Sequence, residues 1–93
     1  MQTYVILRRG AFENSLELDK ATAMSAQVVD EEMSDHVRWI RSYLIDEEDG
    51  SLGMVCIYQA EDEDALMEHA QRAGLPADEV LPIADTLIIR DDP

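Results

Sequence analysis

Short β-rich runs and helix-spaced runs follow one another along only 93 residues, and so short a chain has few ways to close their order into one core. Thr3 to Leu7 is β-branched and aromatic, and Arg8, Arg9 and Gly10 follow it, which predicts a strand and then a turn. From Glu17 to Met33, Leu18, Ala21, Met24, Val28 and Val29 recur at spacings of three and four, the mark of a helix, with Ser15 as its N-cap. Val37 to Ile45 and Leu52 to Ala60 are β-rich on either side of Asp46-Glu47-Glu48-Asp49-Gly50, a hairpin in which Asp49-Gly50 supplies the tight turn. Acidic residues from Glu61 to Asp64 open a second helix over Asp62 to Ala73, ended by Gly74 and Pro76. Val80 to Ile89 reads as a fourth strand, and Asp91-Asp92-Pro93 as a tail. The order βαββαβ predicts one ferredoxin-like α+β domain over residues 1–93, an antiparallel sheet with both helices on one face.

Composition narrows the function. Twenty-one acidic residues against seven basic ones give a net charge of −14, which repels nucleic acid and anionic lipid. That balance also fits a protein working in high salt. No apolar run is long enough for a membrane span. No secretory leader is read at Met1, and one cysteine excludes an internal disulfide, so a reducing cytoplasm is the expected compartment. The four glycines form no nucleotide-binding pattern, and the acidic hairpin tip lacks the ligand spacing of a calcium loop.

The hairpin sets the register. A two-residue turn at Asp49-Gly50 places Tyr43 opposite Cys56, Arg41 opposite Tyr58, Ile45 opposite Met54 and Trp39 opposite Ala60, so aromatic, sulfur and cationic groups share one face. The second helix presents Leu66, His69, Ala70 and Ala73, with Ala65 beside them, a mostly small stripe suited to cover those large side chains. The aliphatic face is then left bare, and two copies joined back to back would cover it.

This arrangement brings His69 over the sheet near Cys56. Imidazole and thiolate are good ligands for nickel, copper or zinc, so His69 and Cys56 are candidate metal ligands, and Trp39, Arg41, Tyr43 and Tyr58 line the pocket. The same pair also reads as a thiol packed as a small hydrophobe and an imidazole satisfied by a backbone carbonyl. His36 reads as a surface residue beside Asp35.

Three segments carry a resemblance: Trp39-Ile40-Arg41-Ser42-Tyr43, Cys56-Ile57-Tyr58-Gln59-Ala60 and Glu68 to Ala77. Together they resemble a small family of ferredoxin-like proteins, usually labelled a domain of unknown function, that includes nickel-binding members. The likeness is strong over residues 37 to 80. It implies a dimeric α+β barrel fold and divalent-metal binding, with Cys56, Tyr58 and His69 at the site. The chain departs from the family pattern in its longer, acidic hairpin tip, in Arg8-Arg9 where an acid is common, and in lacking a Gly-Pro before the second strand.

The leading expectation is therefore a small cytoplasmic protein, a homodimer, that binds nickel or another divalent transition metal. One alternative is a small monooxygenase- or isomerase-like enzyme with a pocket between helices and sheet, in which His69 is a general base and Tyr58 or Arg41 anchors the substrate. Another is a non-catalytic interaction or regulatory module.

Overall fold

The computed structural model describes residues 1–91. It contains β1 (Gln2–Phe12), α1 (Ser15–Glu32), β2 (Val37–Asp46), β3 (Leu52–Ala60), α2 (Glu63–Ala73) and β4 (Glu79–Pro82). The strands lie in the order β2-β3-β1-β4 and every pairing is antiparallel, the ferredoxin-like arrangement. Asp92 and Pro93, read from sequence as part of the tail, lie outside the described residues. Among the described residues no helix is long and apolar enough to cross a membrane.

Alternation along the strands separates two faces. Tyr4, Ile6, Met54, Cys56, Tyr58 and Ala60 are buried beneath the helices, while Val5, Leu7, Val55 and Ile57 on the far side are only partly covered. Helix α2 packs as its spacing implies, burying Ala65, Leu66, His69, Ala70 and Ala73. Burying Leu66 alone contributes about 1.5–3 kcal/mol. The side chain of Asp62 caps α2 by accepting from the Ala65 N–H at 2.8 Å, and Gly74 closes it at φ 71°. For α1 the cap is Asn14, which accepts from the Glu17 N–H at 3.0 Å; Ser15 is instead the first helical residue. Met24, expected on the inner stripe, is exposed, and Ser25 is buried in its stead.

Strand β1 does not turn at Arg8. It continues to Phe12 through an irregularity between Arg8 and Phe12, where Gly10 adopts φ 55°. Glu47 holds this kink from the neighbouring hairpin, accepting from the Gly10 N–H at 2.6 Å and pairing with Arg9 at 2.7 Å. The fourth strand is also shorter than its apolar pattern implied. Pro82 lacks an N–H, and pairing with β1 ends there apart from one bond from Ile83 N–H to the Thr3 carbonyl at 2.9 Å. Leu87, Ile88 and Ile89 lie beyond it, 85%, 78% and 80% exposed.

The hairpin register differs from the expected one. Glu47 N–H donates to the Ser51 carbonyl at 3.0 Å, so the loop has three residues, Glu48 to Gly50, with Gly50 at φ 87°. One extra loop residue flips the facing of every side chain after it. Ser42 therefore lies opposite Cys56, and Arg41, Tyr43 and Ile45 lie opposite Ile57, Val55 and Gly53 on the uncovered face. A bulge at Ile40 then restores the facing, placing Trp39 opposite Tyr58. It also brings Trp39 and Ser42 to one side, and the indole N–H donates to the Ser42 hydroxyl at 2.8 Å.

Candidate functional site

Four polar residues meet between the sheet and the helices. Arg8 follows Tyr4 and Ile6 at inward positions of β1, Tyr58 stands on the adjacent β3, His69 comes down from α2, and Ser25 faces it from α1. Arg8, Ser25, Tyr58 and His69 are all fully buried. The Tyr58 ring is their platform: Trp39 stacks on it at 5.8 Å with planes 8° apart, His69 approaches at 5.4 Å, and the Arg8 guanidinium carbon lies 5.7 Å from its centroid. That last contact is a cation–π interaction.

Hydrogen bonding is incomplete. Nε2 of His69 meets the Ser25 hydroxyl at 3.1 Å and the Ser25 carbonyl at 3.4 Å, which favours the tautomer protonated at Nε2 and leaves Nδ1 as a bare acceptor. Nδ1 has no partner, nor have the Tyr58 hydroxyl and all three guanidinium nitrogens of Arg8. Burial lowers the imidazole's proton affinity, and the nearby Arg8 charge lowers it further, against a raising effect of the Ser25 backbone. Burial also pushes the Tyr58 phenol up to about 12, so it stays protonated and able to donate.

Of the residues singled out from sequence, Cys56, Tyr58 and His69 lie buried on the helix-covered side, with Trp39 half-buried against Tyr58. Arg41 and Tyr43 lie on the other side, and Arg41 donates to the Tyr43 hydroxyl at 3.3 Å. A cleft of about 530 Å³ at the edge of β2 is lined by Trp39, Arg41, Ser42 and residues of α1. Tyr43 instead borders a cleft of about 780 Å³ between the open face and Leu87 to Ile89. Sequence reasoning missed Arg8 and Ser25. The period-two count Tyr4, Ile6, Arg8 points Arg8 inward once the strand is allowed to run on. His36 is on the surface, paired through Nδ1 with Glu61 at 2.9 Å.

Residues 4–83 match the model of a family described as "Nickel responsive protein SCO4226-like". The chain belongs to this family. The crystal structure of SCO4226 from Streptomyces coelicolor A3(2) superposes with a TM-score of 0.71 at 20% identity, covering 91% of this chain and 99% of that one. At that identity the likeness shows the fold, which this member of the SCO4226-like family shares. No curated protein sequence matches the chain. Among the described residues of this family member, no group of three or more His, Cys, Asp or Glu side chains gathers as a metal-binding cluster.

Proposed function

We propose that this protein binds a divalent transition metal of the nickel type, with His69 and Cys56 as its interior ligands and Trp39 and Tyr58 walling the site. One observation supports the reading above the others: Nδ1 of His69 is buried without a hydrogen-bond partner, on the side of the sheet that also carries Cys56. The family's description as nickel responsive supports the choice of ion.

The donor chemistry suits the ion. An imidazole nitrogen and a thiolate sulfur are ligands that nickel, copper and zinc accept readily. The lowered proton affinity of His69 keeps the ring neutral, and so competent to bind, below the pH at which an ordinary imidazole protonates. The remaining coordination positions fall to water. Arg8 works against the cation, because its unneutralised charge lies at the same Tyr58 ring. The free Cys56 is suited to a reducing cytoplasm, the compartment this reading takes for the protein.

Calorimetric titration of untagged protein with nickel, zinc and copper tests the proposal. His69→Ala and Cys56→Ser should each weaken nickel binding by more than the about 10- to 100-fold typical of changes to residues that only support the ligands. Circular dichroism of both variants checks that they fold. Binding by both at wild-type strength rejects these ligands.

A further inference from the structure

We propose that the interior of this domain is a binding site for a small carboxylate-type monoanion, held by the guanidinium of Arg8 and the hydroxyl of Tyr58. The proposal does not rest on the metal reading: it uses different donor atoms from the acceptor Nδ1 of His69 and the thiol of Cys56, although Tyr58 borders both.

Arg8 is fully buried, and none of Nε, Nη1 and Nη2 has a hydrogen-bond partner. Buried cations in proteins are neutralised by a counter-charge, because a charge removed from water without one is costlier than any other buried group. The Tyr58 ring supplies only a quadrupole, and it is the one such partner Arg8 has among the described contacts. Glu47 already accepts from the Arg9 guanidinium and the Gly10 N–H, and Asp78 accepts from the Arg9 backbone N–H, so these neighbouring acids are engaged elsewhere. Water would satisfy the N–H groups but not the charge. An anion does both.

The donors fix its class. A guanidinium presents parallel N–H groups in a planar fork that matches the two oxygens of a carboxylate. The Tyr58 hydroxyl, protonated, without a geometric hydrogen-bond partner and within electrostatic reach of Arg8, adds a further donor. His69, already bonded through Nε2 to Ser25, offers only a lone pair at Nδ1 and takes no part in holding an anion. None of the clefts at Trp39, at the open face, at Leu75 or at His36 reaches Arg8. Arg8 and its three nitrogens are closed even to water in the closed fold, so the site forms only when the helices part locally, and the small space so opened favours an ion of the size of formate or acetate.

Thermal unfolding of the metal-free, full-length protein tests this at constant ionic strength. Sodium formate, acetate or chloride replaces gluconate, which is too large for the interior. Formate or acetate should raise Tm along a saturable curve. Arg8→Met, which keeps the apolar stem, should abolish that response. Tyr58→Phe should shift the half-saturating concentration several-fold upward, and it keeps the test decisive should Arg8→Met fail to fold. A response that never saturates, or that is equal in wild type and either variant, overturns the site. Saturation by chloride alone overturns the carboxylate assignment. Repeating the anion titration on metal-free Cys56→Ser separates the two readings, since a variant that has lost nickel binding should keep the saturable anion response.

Discussion

His36 and His69 are the two imidazoles of the chain, and their surroundings push them in opposite directions. A hydrogen bond and the charge of Glu61 raise His36 above its ordinary value of 6.5. Desolvation, with the charge of Arg8 beside it, lowers His69 below the same value. For His36 the folded state binds its proton more tightly, so its contribution is present below 6.5 and fades as pH rises through its native pKa. For His69 the unfolded state binds the proton more tightly, so stability is complete above 6.5 and falls as pH drops towards the lowered native value. An NMR titration of the two ring C–H resonances should show His36 with a midpoint above 6.5 and His69 below it, and a reversed order would contradict the buried placement of His69. The inward facing of His69 could be read from its spacing with Leu66, Ala70 and Ala73. The roles of Arg8 and Ser25 could not, because hydrophobic patterning assigns charged and hydroxyl side chains to the surface by default.

At the scale of elements, order and facing separate. The six elements follow from period and punctuation, and both helix ends of α2 follow from Asp62 and Gly74. The register of β2 does not, because it depends on whether Gly50 is the second residue of a two-residue turn or the third of a longer one, and Asp-Gly serves both. The bulge at Ile40 then compensates for the first residues of the strand, Val37 to Trp39, which is why Trp39 keeps its expected side while Arg41 and Tyr43 lose theirs. Gly53 is where the hairpin and the kink of β1 meet. A Cβ there would stand 2.9 Å from the Arg8 carbonyl oxygen and 2.9 Å from Oε2 of Glu47. The carboxylate can rotate away only by releasing the Gly10 N–H, and the backbone carbonyl cannot move without disturbing the β1–β3 ladder. Gly53→Ala should therefore destabilise the fold by about 1–3 kcal/mol, read from urea unfolding. A neutral result would mean that the kink of β1 adapts freely.

At the scale of the molecule, the uncovered sheet face is the feature without a partner. Val5, Leu7, Val55 and Ile57 are partly open to solvent, Tyr43 and Leu81 are exposed, and Leu87 to Ile89 project beside them. The cleft of about 780 Å³ between that face and the chain after β4 offers a place for the same apolar segment of a second copy. We take a C₂ dimer, two sheets joined through this face, as the proposed assembly. Charge opposes it: each copy carries −14, so at low salt the two protomers repel over distances longer than the interface itself. The Debye length shrinks from about 10 Å at 0.1 M salt to about 3 Å at 1 M, which removes most of that repulsion and leaves apolar burial to dominate. Light scattering at micromolar protein should therefore give a mass moving from monomer towards dimer as KCl rises, and Ile57→Glu, placed at the centre of the open face, should hold it at the monomer throughout. A wild-type mass that stays monomeric into molar KCl would leave the face to some other partner, and a dimer indifferent to Ile57→Glu would place the contact elsewhere on the molecule.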